Sequence, residues 1–337
     1  MSLSRSARSA RVHGLKRIPR WMVLTGACPA NRRHVRLPLP RVPEGRPDPQ
    51  PESLCAPADH GARVPGMNAI DLRGVTIGYD DSGPSAGPPV LLIHGHPFDR
   101  TLWAPQVAAL TETGHRVVTP DLRGYGRSGV TPGKVFLSDF ADDLAALLGH
   151  LGIDEAVVGG VSMGGQITME FQRRHPQLVR GLILSDTSAP AETEEGRQFR
   201  NRLADRLLAE GMDGYAGEVI AKMLAAYNVE AMPDVAARVL GMMRATDPRG
   251  AAAALRGRAE RPDYRATLAD VRVPVWIVVG ADDAYTPVAD AEAIHRLVPH
   301  AVMTVIEGAG HLPGVEQPGR FNAALLDFLA TYVPASD

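Results

Sequence analysis

The sequence predicts an α/β fold, a mostly parallel, doubly wound sheet with an inserted helical cap. Short continuous apolar runs recur along the chain, and helical patterns lie between them. Runs of this length are typical of strands that are buried on both faces, as in a parallel sheet. One long stretch, from about residue 192 to residue 265, has helical spacing and lacks a convincing strand.

The strands can be predicted one by one from these runs. Two of them form a predicted hairpin that turns at Arg73-Gly74, namely Ile70–Arg73 and Val75–Tyr79. The others are Pro89–His94, Arg116–Pro120, Ala156–Gly160, Gly181–Ser185, Pro274–Gly280 and Met303–Glu307.

Helical spacing is clear at two places. Ser138 is predicted to cap a helix whose apolar face is formed by Phe140, Leu144, Leu147 and Leu151. The second place is the predicted cap, residues 189–265, which interrupts a core formed by residues 67–188 and 266–337. An insertion of this kind is expected to form a lid over a site at the carboxyl ends of the strands.

Composition sets outer limits on function. The chain has 337 residues and a formal net charge of −2, and no apolar run approaches the length of a membrane span. We therefore expect no nucleic-acid partner and no membrane partner. Both cysteines, Cys28 and Cys55, lie in the first 66 residues, so the rest of the chain needs no disulfide. A cytoplasmic location is predicted, and the oligomeric state cannot be predicted.

The first 66 residues differ from the remainder. They hold 12 of the 36 Lys and Arg residues but only 4 of the 38 Asp and Glu residues, and they show no sustained period. Such a segment buries too little apolar area to offset its chain entropy. It is predicted to be a disordered basic tail or a mis-assigned start, with translation beginning at Met67; a targeting segment is the third reading.

The strongest chemical signal is Gly160-Val161-Ser162-Met163-Gly164, which follows an apolar strand and precedes a helical stretch. This is the G-x-S-x-G nucleophile elbow in its required strand–turn–helix context. The tight turn leaves little room for neighbouring side chains and lifts the serine hydroxyl above the sheet. Ser162 is therefore the predicted nucleophile, against the alternative of a plain glycine-rich turn.

A serine hydroxyl needs a base, and the base needs a carboxylate that orients it. His311 follows the last predicted strand and is preceded by small residues, so it is the predicted base. Asp283 lies just past the preceding strand and is the predicted acid, with Asp282 as its rival. The order Ser, Asp, His along the chain agrees with this architecture.

Tetrahedral intermediates need hydrogen-bond donors for the oxyanion. The backbone N–H of Met163, directly after the nucleophile, is one predicted donor. The second is the backbone N–H of His96, in the loop after the strand that ends at Ile93. Phe98 and Trp103 are candidates for a substrate pocket, and ordinary core positions are the equal alternative.

These motifs resemble the α/β-hydrolase superfamily over about residues 70–332. His94-Gly95-His96-Pro97 resembles its HGxP loop, and residues 121–128 resemble its D-x-R-G-x-G-x-S loop. The loops that contain Asp283 and His311 resemble its acid and histidine loops. The cap is most similar to those of small esterases and 3-oxoadipate enol-lactonase-like hydrolases. The resemblance implies the α/β-hydrolase fold and acyl-transfer chemistry without a cofactor or a metal.

Two further motifs suggest other chemistry. Gly124-x-Gly126-x-x-Gly129 matches a dinucleotide fingerprint, but the Val130-Thr131-Pro132-Gly133 stretch after it cannot open the helix that a pyrophosphate would need. His94, His96 and Asp99 suggest a metal site, which lacks a well-placed third histidine.

The sequence therefore predicts a serine hydrolase that cleaves a small carboxylic ester or lactone through an acyl-enzyme intermediate. Cofactor-free perhydrolysis of the haloperoxidase type, or C–C bond hydrolysis by the same triad, is the alternative within enzymes. A ligand receptor with slow turnover is the alternative outside them. The acyl and alcohol groups of the substrate cannot be predicted, because the geometry of the cap sets the shape of the pocket.

Overall fold

In the computed structural model, which describes residues 68–333, eight strands form one sheet with helices packed around it. The predictions for residues 1–66 lie outside the described residues. The strands are β1 (Asn68–Leu72), β2 (Val75–Ser82), β3 (Pro89–Ile93), β4 (Arg116–Pro120), β5 (Ala156–Val161), β6 (Val179–Ser185), β7 (Val275–Gly280) and β8 (Val302–Ile306). All eight predicted strands are present.

The order of the strands in the sheet is β1-β2-β4-β3-β5-β6-β7-β8. The β1–β2 and β2–β4 pairs are antiparallel, and every other neighbouring pair is parallel. The mostly parallel sheet is therefore confirmed. Because the carboxyl ends of parallel strands meet at one edge, the loops after β3, β5, β6, β7 and β8 open on the same side of the fold.

Alternate residues of the central strands contribute to two separate apolar clusters. In β3, Leu91 and Ile93 belong to one cluster, whereas Val90 and Leu92 belong to the other. Successive side chains of a strand point to opposite faces, so both faces of this sheet are buried. This is the physical reason why the strands appear in the sequence as continuous apolar runs.

The helices cover the two faces and fill the interval between β6 and β7. They are α1 (Ala104–Glu112), α2 (Leu137–His150), α3 (Met163–Arg174), α4 (Glu194–Glu210), α5 (Asp213–Met223), α6 (Ala226–Ala231), α7 (Pro233–Ala245), α8 (Pro248–Arg258), α9 (Arg265–Ala269), α10 (Val288–Leu297), α11 (Pro313–Glu316) and α12 (Pro318–Tyr332). Helices α4 to α8 form the inserted helical region. They have an apolar cluster of their own, to which Leu207, Tyr215 and Leu255 belong.

The start of α2 differs from the prediction. Ser138 does not cap this helix, because the helix begins one residue earlier, at Leu137. The carboxylate of Asp139 instead accepts a hydrogen bond of 2.8 Å from the backbone N–H of Phe136, which precedes the helix. The predicted apolar face is correct in that Phe140, Leu144 and Leu147 are buried.

No helix among residues 68–333 is both long enough and apolar enough to span a membrane.

Candidate active site

Ser162 lies at the turn between β5 and α3, close to the centre of the sheet. Its backbone has φ 58° and ψ −116°, a strained conformation for a residue with a side chain. The strain is retained because the backbone N–H and the backbone carbonyl of Ser162 are both hydrogen-bonded. The Ser162 N–H donates to the Ser185 carbonyl over 3.0 Å, and Thr187 Oγ1 donates to the Ser162 carbonyl over 2.8 Å.

The glycines around Ser162 are required by close contacts. A Cβ atom on Gly160 would lie 2.3 Å from the carbonyl of Gly164, and one on Gly164 would lie 2.3 Å from the carbonyl of Ile93. A Cβ atom on Gly95 would lie 2.9 Å from the carbonyl of Val161. The loop after β3 therefore packs directly against the serine turn.

The carboxylate of Asp283 and the imidazole of His311 form a buried pair. His311 Nδ1 donates to Asp283 Oδ2 over 2.8 Å. The carboxylate also accepts from the hydroxyl of Thr286 over 2.6 Å and from the N–H of Tyr285 over 2.7 Å. Burial raises the pKa of Asp283, but the charge of His311 and these hydrogen bonds outweigh it, so the net shift is downward. Asp283 is thus held as an anion that orients the ring.

Asp282, the alternative candidate for the acid, bonds to a residue other than His311. The phenolic hydroxyl of Tyr227 donates to Asp282 Oδ2 over 2.6 Å, and Tyr227 is an exposed residue. Only Asp283 of the two bonds to His311 among the described residues.

A second carboxyl group, which sequence reasoning missed, lies beside this pair. Asp186 directly follows β6, is 1% exposed, and has a left-handed backbone with φ 45°. Side-chain atoms of Asp186, Asp283 and His311 lie within 4.8 Å of one another. Burial, and then the charge of Asp283, raise the pKa of Asp186 well above its ordinary value. Its position at the carboxyl end of a buried strand was the available signal.

The structure brings Asp283 and His311 into direct contact, but no hydrogen bond joins His311 to Ser162 among residues 68–333. Both side chains are buried, and they follow β5 and β8 at the same edge of the sheet. Contacts between a nucleophile and its base are often long without a bound substrate.

The two predicted oxyanion donors flank the serine turn. Met163 is the first residue of α3, and the N–H groups in the first turn of a helix have no partner within the helix. His96 lies in the loop that packs on this turn, and its peptide bond to Pro97 is cis. No backbone carbonyl within residues 68–333 accepts from the His96 N–H.

The two histidines of this loop use their rings differently. His94 Nδ1 donates to the Gly95 carbonyl over 2.9 Å, and His94 Nε2 accepts from the Leu122 N–H over 3.0 Å. Both ring nitrogens of His94 are therefore occupied by backbone groups, which argues against the metal site considered from the sequence. His96 Nδ1 bonds to the hydroxyl of Tyr125 over 2.9 Å, whereas its buried Nε2 has no partner in the described chain.

The loop that follows β4 stabilises the loop that follows β3. The carboxylate of Asp121 accepts from the backbone N–H of Arg100 over 2.8 Å and from its guanidinium over 2.7 Å. It also accepts from the backbone N–H of Arg127 over 2.9 Å. This turn requires a glycine at position 126, since a Cβ atom on Gly126 would lie 2.3 Å from the Asp121 carboxyl carbon. The next helix, α2, begins only at Leu137, which agrees with rejecting a dinucleotide site.

Glu316 connects the histidine loop to the cap. One oxygen of its buried carboxylate accepts from the Gly310 N–H over 2.8 Å. The other oxygen accepts from the Ala225 N–H and from the Asn228 side chain, each over 2.8 Å. Burial raises the pKa of Glu316. No local sequence pattern indicated this connection, because its partners lie far away along the chain.

The candidate pocket residues are both buried. Phe98 and Trp103 belong to the apolar cluster on one face of the sheet. Trp103 also borders a small cavity of about 10 Å³, together with Val161 and Leu312. A larger cavity of about 260 Å³ has Asp99, Arg100, Thr101, Gly126, Arg127, Met242, Ala245 and Thr246 in its lining. None of the three predicted catalytic side chains lines it, so the size of a cavity does not identify the site here.

Comparisons with known proteins agree with this architecture. Residues 88–318 match the sequence profile of the alpha/beta hydrolase fold. The chain is 26% identical over 258 residues to 3-oxoadipate enol-lactonase 2 of Acinetobacter baylyi, which covers 77% of this chain and 94% of that protein.

Two solved structures are similar as well. A thermophilic esterase from Thermogutta terrifontis, solved with malate bound, is 38% identical with a TM-score of 0.76, and the match covers 79% of this chain and 99% of that one. The enol-lactonase from Burkholderia xenovorans is 26% identical with a TM-score of 0.73, covering 78% and 100%. With the strand order, the serine turn and the profile match taken together, the chain belongs to the α/β-hydrolase fold family.

Proposed function

We propose that this protein is a serine hydrolase that cleaves a small carboxylic ester or lactone through an acyl-enzyme intermediate. The observation that carries the proposal is the strained turn at Ser162, with the buried Asp283–His311 pair at the same edge of the sheet. The relatives support the class of substrate, because those compared above are named as enol-lactonases and an esterase.

The proposed reaction uses only side chains and backbone groups of this chain. Ser162 Oγ attacks the carbonyl carbon while His311 Nε2 takes the hydroxyl proton. Asp283 holds the ring with its Nδ1–H directed at the carboxylate, which leaves Nε2 free to act as the base. The N–H groups of His96 and Met163 stabilise the oxyanion.

The leaving alcohol or enol receives the proton from His311, and the acyl group stays on Ser162. Water, activated by the same imidazole, then attacks the acyl-enzyme and releases the carboxylic acid. In a lactone the leaving oxygen stays joined to the acyl group through the carbon chain in both steps, so the product is a single acid that carries the new hydroxyl or keto group. The Ser162–His311 contact is expected to tighten when a substrate is bound.

The proposal is tested by Ser162→Ala, measured with 4-nitrophenyl acetate. We expect kcat to fall by about 10⁴-fold or more, because the attack has no other nucleophile. Ser138→Ala, at a serine on α2, is the matched control and should keep the activity of the parent. Unfolding curves of both variants confirm that they are folded. If Ser162→Ala retains activity within about tenfold of the parent, the proposal is wrong.

A further inference from the structure

Tyr285 lies in the loop between β7 and α10, two residues after Asp283. Its backbone N–H donates to Asp283 Oδ1 over 2.7 Å. Its ring lies against the imidazole of His311, with 5.2 Å between the ring centroids and an angle of 60° between the planes. This is an edge-to-face contact. The loop that carries the proposed acid therefore also places an aromatic ring on the proposed base.

The two rings differ in their exposure to solvent. His311 is 2% exposed and Ser162 is 6% exposed, whereas Tyr285 is 40% exposed. A substrate has to reach the two buried groups from solvent. Tyr285 covers part of the imidazole and is itself open to solvent, so it lies where a substrate can meet it.

The ring of Tyr285 is not part of the apolar core. It belongs to none of the three apolar clusters, and its hydroxyl has no hydrogen-bond partner among residues 68–333. The backbone of the loop is fixed instead. The Asp283 carboxylate accepts from the N–H groups of Tyr285 and Thr286, and the Asp282 N–H donates to the Ala309 carbonyl over 2.9 Å. The side chain can therefore be replaced without removing these supports.

The other end of the ring is directed at the inserted helices. The phenol of Tyr285 is close enough to that of Tyr215, on α5, to affect its ionisation, since burial first and Tyr285 second raise the pKa of Tyr215. The ring centroids of Tyr215 and His96 are 6.0 Å apart. Tyr285 therefore lies between the proposed base and a residue of the insertion that neighbours the proposed oxyanion loop.

The proposed reaction gives each group on the reacting carbon a direction. The oxyanion points at the N–H groups of His96 and Met163. The leaving oxygen points at His311 Nε2, from which it takes its proton. The new bond is to Ser162 Oγ, so the acyl substituent occupies the remaining direction. A ring that packs on the imidazole is therefore nearer to the leaving alcohol than to the acyl chain.

We propose that Tyr285 is a specificity-determining residue for the alcohol part of the substrate, and that its ring limits the size of the alcohol that can leave. An alcohol that is unbranched next to the ester oxygen fits beside the phenol ring, whereas a branched one overlaps it. The water that attacks the acyl-enzyme approaches from the same side and is small enough to pass. This inference rests on the proposed function, because it concerns the leaving-group side of the same serine site.

The first test uses two pairs of isomeric esters, with acid release followed by titration at constant pH. One pair differs in the alcohol, n-butyl acetate and sec-butyl acetate. The other pair differs in the acyl group, ethyl pentanoate and ethyl 2-methylbutanoate. In Tyr285→Ala, the kcat/KM of the sec-butyl ester relative to the n-butyl ester should rise about 10-fold above the parent's ratio, the lower end of the discrimination that one ill-fitting group produces. The acyl ratio should stay within about twofold of the parent's.

A second test starts from one and the same acyl-enzyme. With 4-nitrophenyl acetate as the donor, the acetyl group on Ser162 is divided between water and an added alcohol. The alcohol oxygen attacks the acyl carbon, its proton goes to His311 Nε2, and the bond to Ser162 Oγ breaks. The parent should form more butyl acetate from 1-butanol than from 2-butanol, and Tyr285→Ala should reduce this preference about 10-fold. Because both alcohols compete for one intermediate, the ratio does not depend on the amount of folded enzyme.

Two control variants separate the ring from other effects. Tyr285→Phe keeps the ring and should match the parent, because the hydroxyl that it removes has no partner among the described residues. Tyr227→Ala removes another exposed tyrosine, whose hydroxyl bonds to Asp282 in the same loop. Its alcohol and acyl ratios should equal those of the parent.

Two results would overturn the inference: an unchanged alcohol ratio in Tyr285→Ala, or an equal change in the acyl ratio. The first would show that the ring does not meet the leaving group, and the second that the substitution disturbs the base itself. Either result leaves the serine hydrolase intact. If the parent hydrolyses none of the four esters and no ester or lactone in a wider panel, the proposed function fails and the inference fails with it.

Discussion

The two sides of the candidate site are built on different principles. The strand-end side contains Ser162, Asp283 and His311, each in a loop that follows a strand of the sheet. The other side, which we call the cap side, takes Arg258 and Tyr215 from helices of the insertion. On the first side the Asp283 carboxylate bonds to His311, Thr286 and a backbone N–H, whereas on the cap side no carboxylate lies within 4.0 Å of the Arg258 nitrogens among residues 68–333. The strand-end side is thus a paired ionic site, whereas the cap side carries a cation without a carboxylate partner among the described residues.

The largest effect that separates the two sides is expected at Asp283. Asp283→Asn should lower kcat by about 10³- to 10⁴-fold, because an amide no longer holds the His311 ring in the tautomer that has its proton on Nδ1. The ring then does not present a free Nε2 to the serine hydroxyl. The matched control is Asp282→Asn, which removes only a bond to the exposed Tyr227 and should stay within about twofold of the parent. Steady-state kinetics on a neutral ester provides the measurement. Similar losses in both variants would contradict the assignment of Asp283.

A smaller effect concerns how firmly the insertion is attached. Gly250→Ala should lower the free energy of unfolding by about 2 kcal/mol, because the new methyl group would overlap the Gly124 backbone. Gly241→Ala on α7 is the matched control, since a Cβ atom there meets nothing within 4 Å. It should be neutral or stabilising by up to about 1 kcal/mol. Urea denaturation measures both, and equal results would show that α8 is loosely held.

The unpaired cation of the cap side, Arg258, should also affect the stability of the fold. Replacing an uncompensated buried cation with an apolar side chain of similar length removes a desolvation cost. We expect Arg258→Met to raise the free energy of unfolding by about 1 kcal/mol. Thermal and urea unfolding measure the change. A marked loss of stability would instead assign Arg258 a structural role.

The last effect concerns Asp186, and it depends on pH. A carboxyl with a raised pKa in the folded state contributes stability that is fully present below its unfolded pKa, about 4, and is lost as the pH rises through the folded value. Asn cannot ionise, so the free energy of unfolding of Asp186→Asn should equal that of the parent near pH 4. It should exceed the parent's value increasingly as the pH rises toward 8. Each unit of pKa difference corresponds to about 1.4 kcal/mol. A constant difference across this range would refute a protonated Asp186.

The sequence predicted much of the strand-end side and little of the cap side. The central strands could be predicted because burial on both faces leaves a continuous apolar run, whereas β1 and β2 were predicted from the hairpin turn between them. Ser162 and the histidine loop could be found because the turns require small residues at fixed spacing. The roles of Ser162, Asp283, His311, His96 and Met163 remain predictions, as do the pocket roles of Phe98 and Trp103.

The residues that were missed share one property: their partners are distant in the chain. Asp186 is 94 positions from the Gly280 N–H that bonds it, and Arg258 is 92 positions from Gln166. No local pattern marks such pairs, because only the packing of helices and strands brings them together. The error at Ser138 has a local cause, since the helix begins at Leu137 and the Asp139 carboxylate accepts from the N–H of Phe136, the residue that precedes it.

The position of Glu316 bears on attempts to change the substrate of this protein by replacing its inserted helices. Its single carboxylate bridges the backbone just before His311 and the start of α6. Exchanging the inserted helices for those of a relative would therefore disturb the proposed proton acceptor along with the pocket. A chimaera that preserves Asn228 and the chain direction at Ala225 would keep this bridge. A change in substrate selectivity could then be distinguished from a loss of catalytic rate.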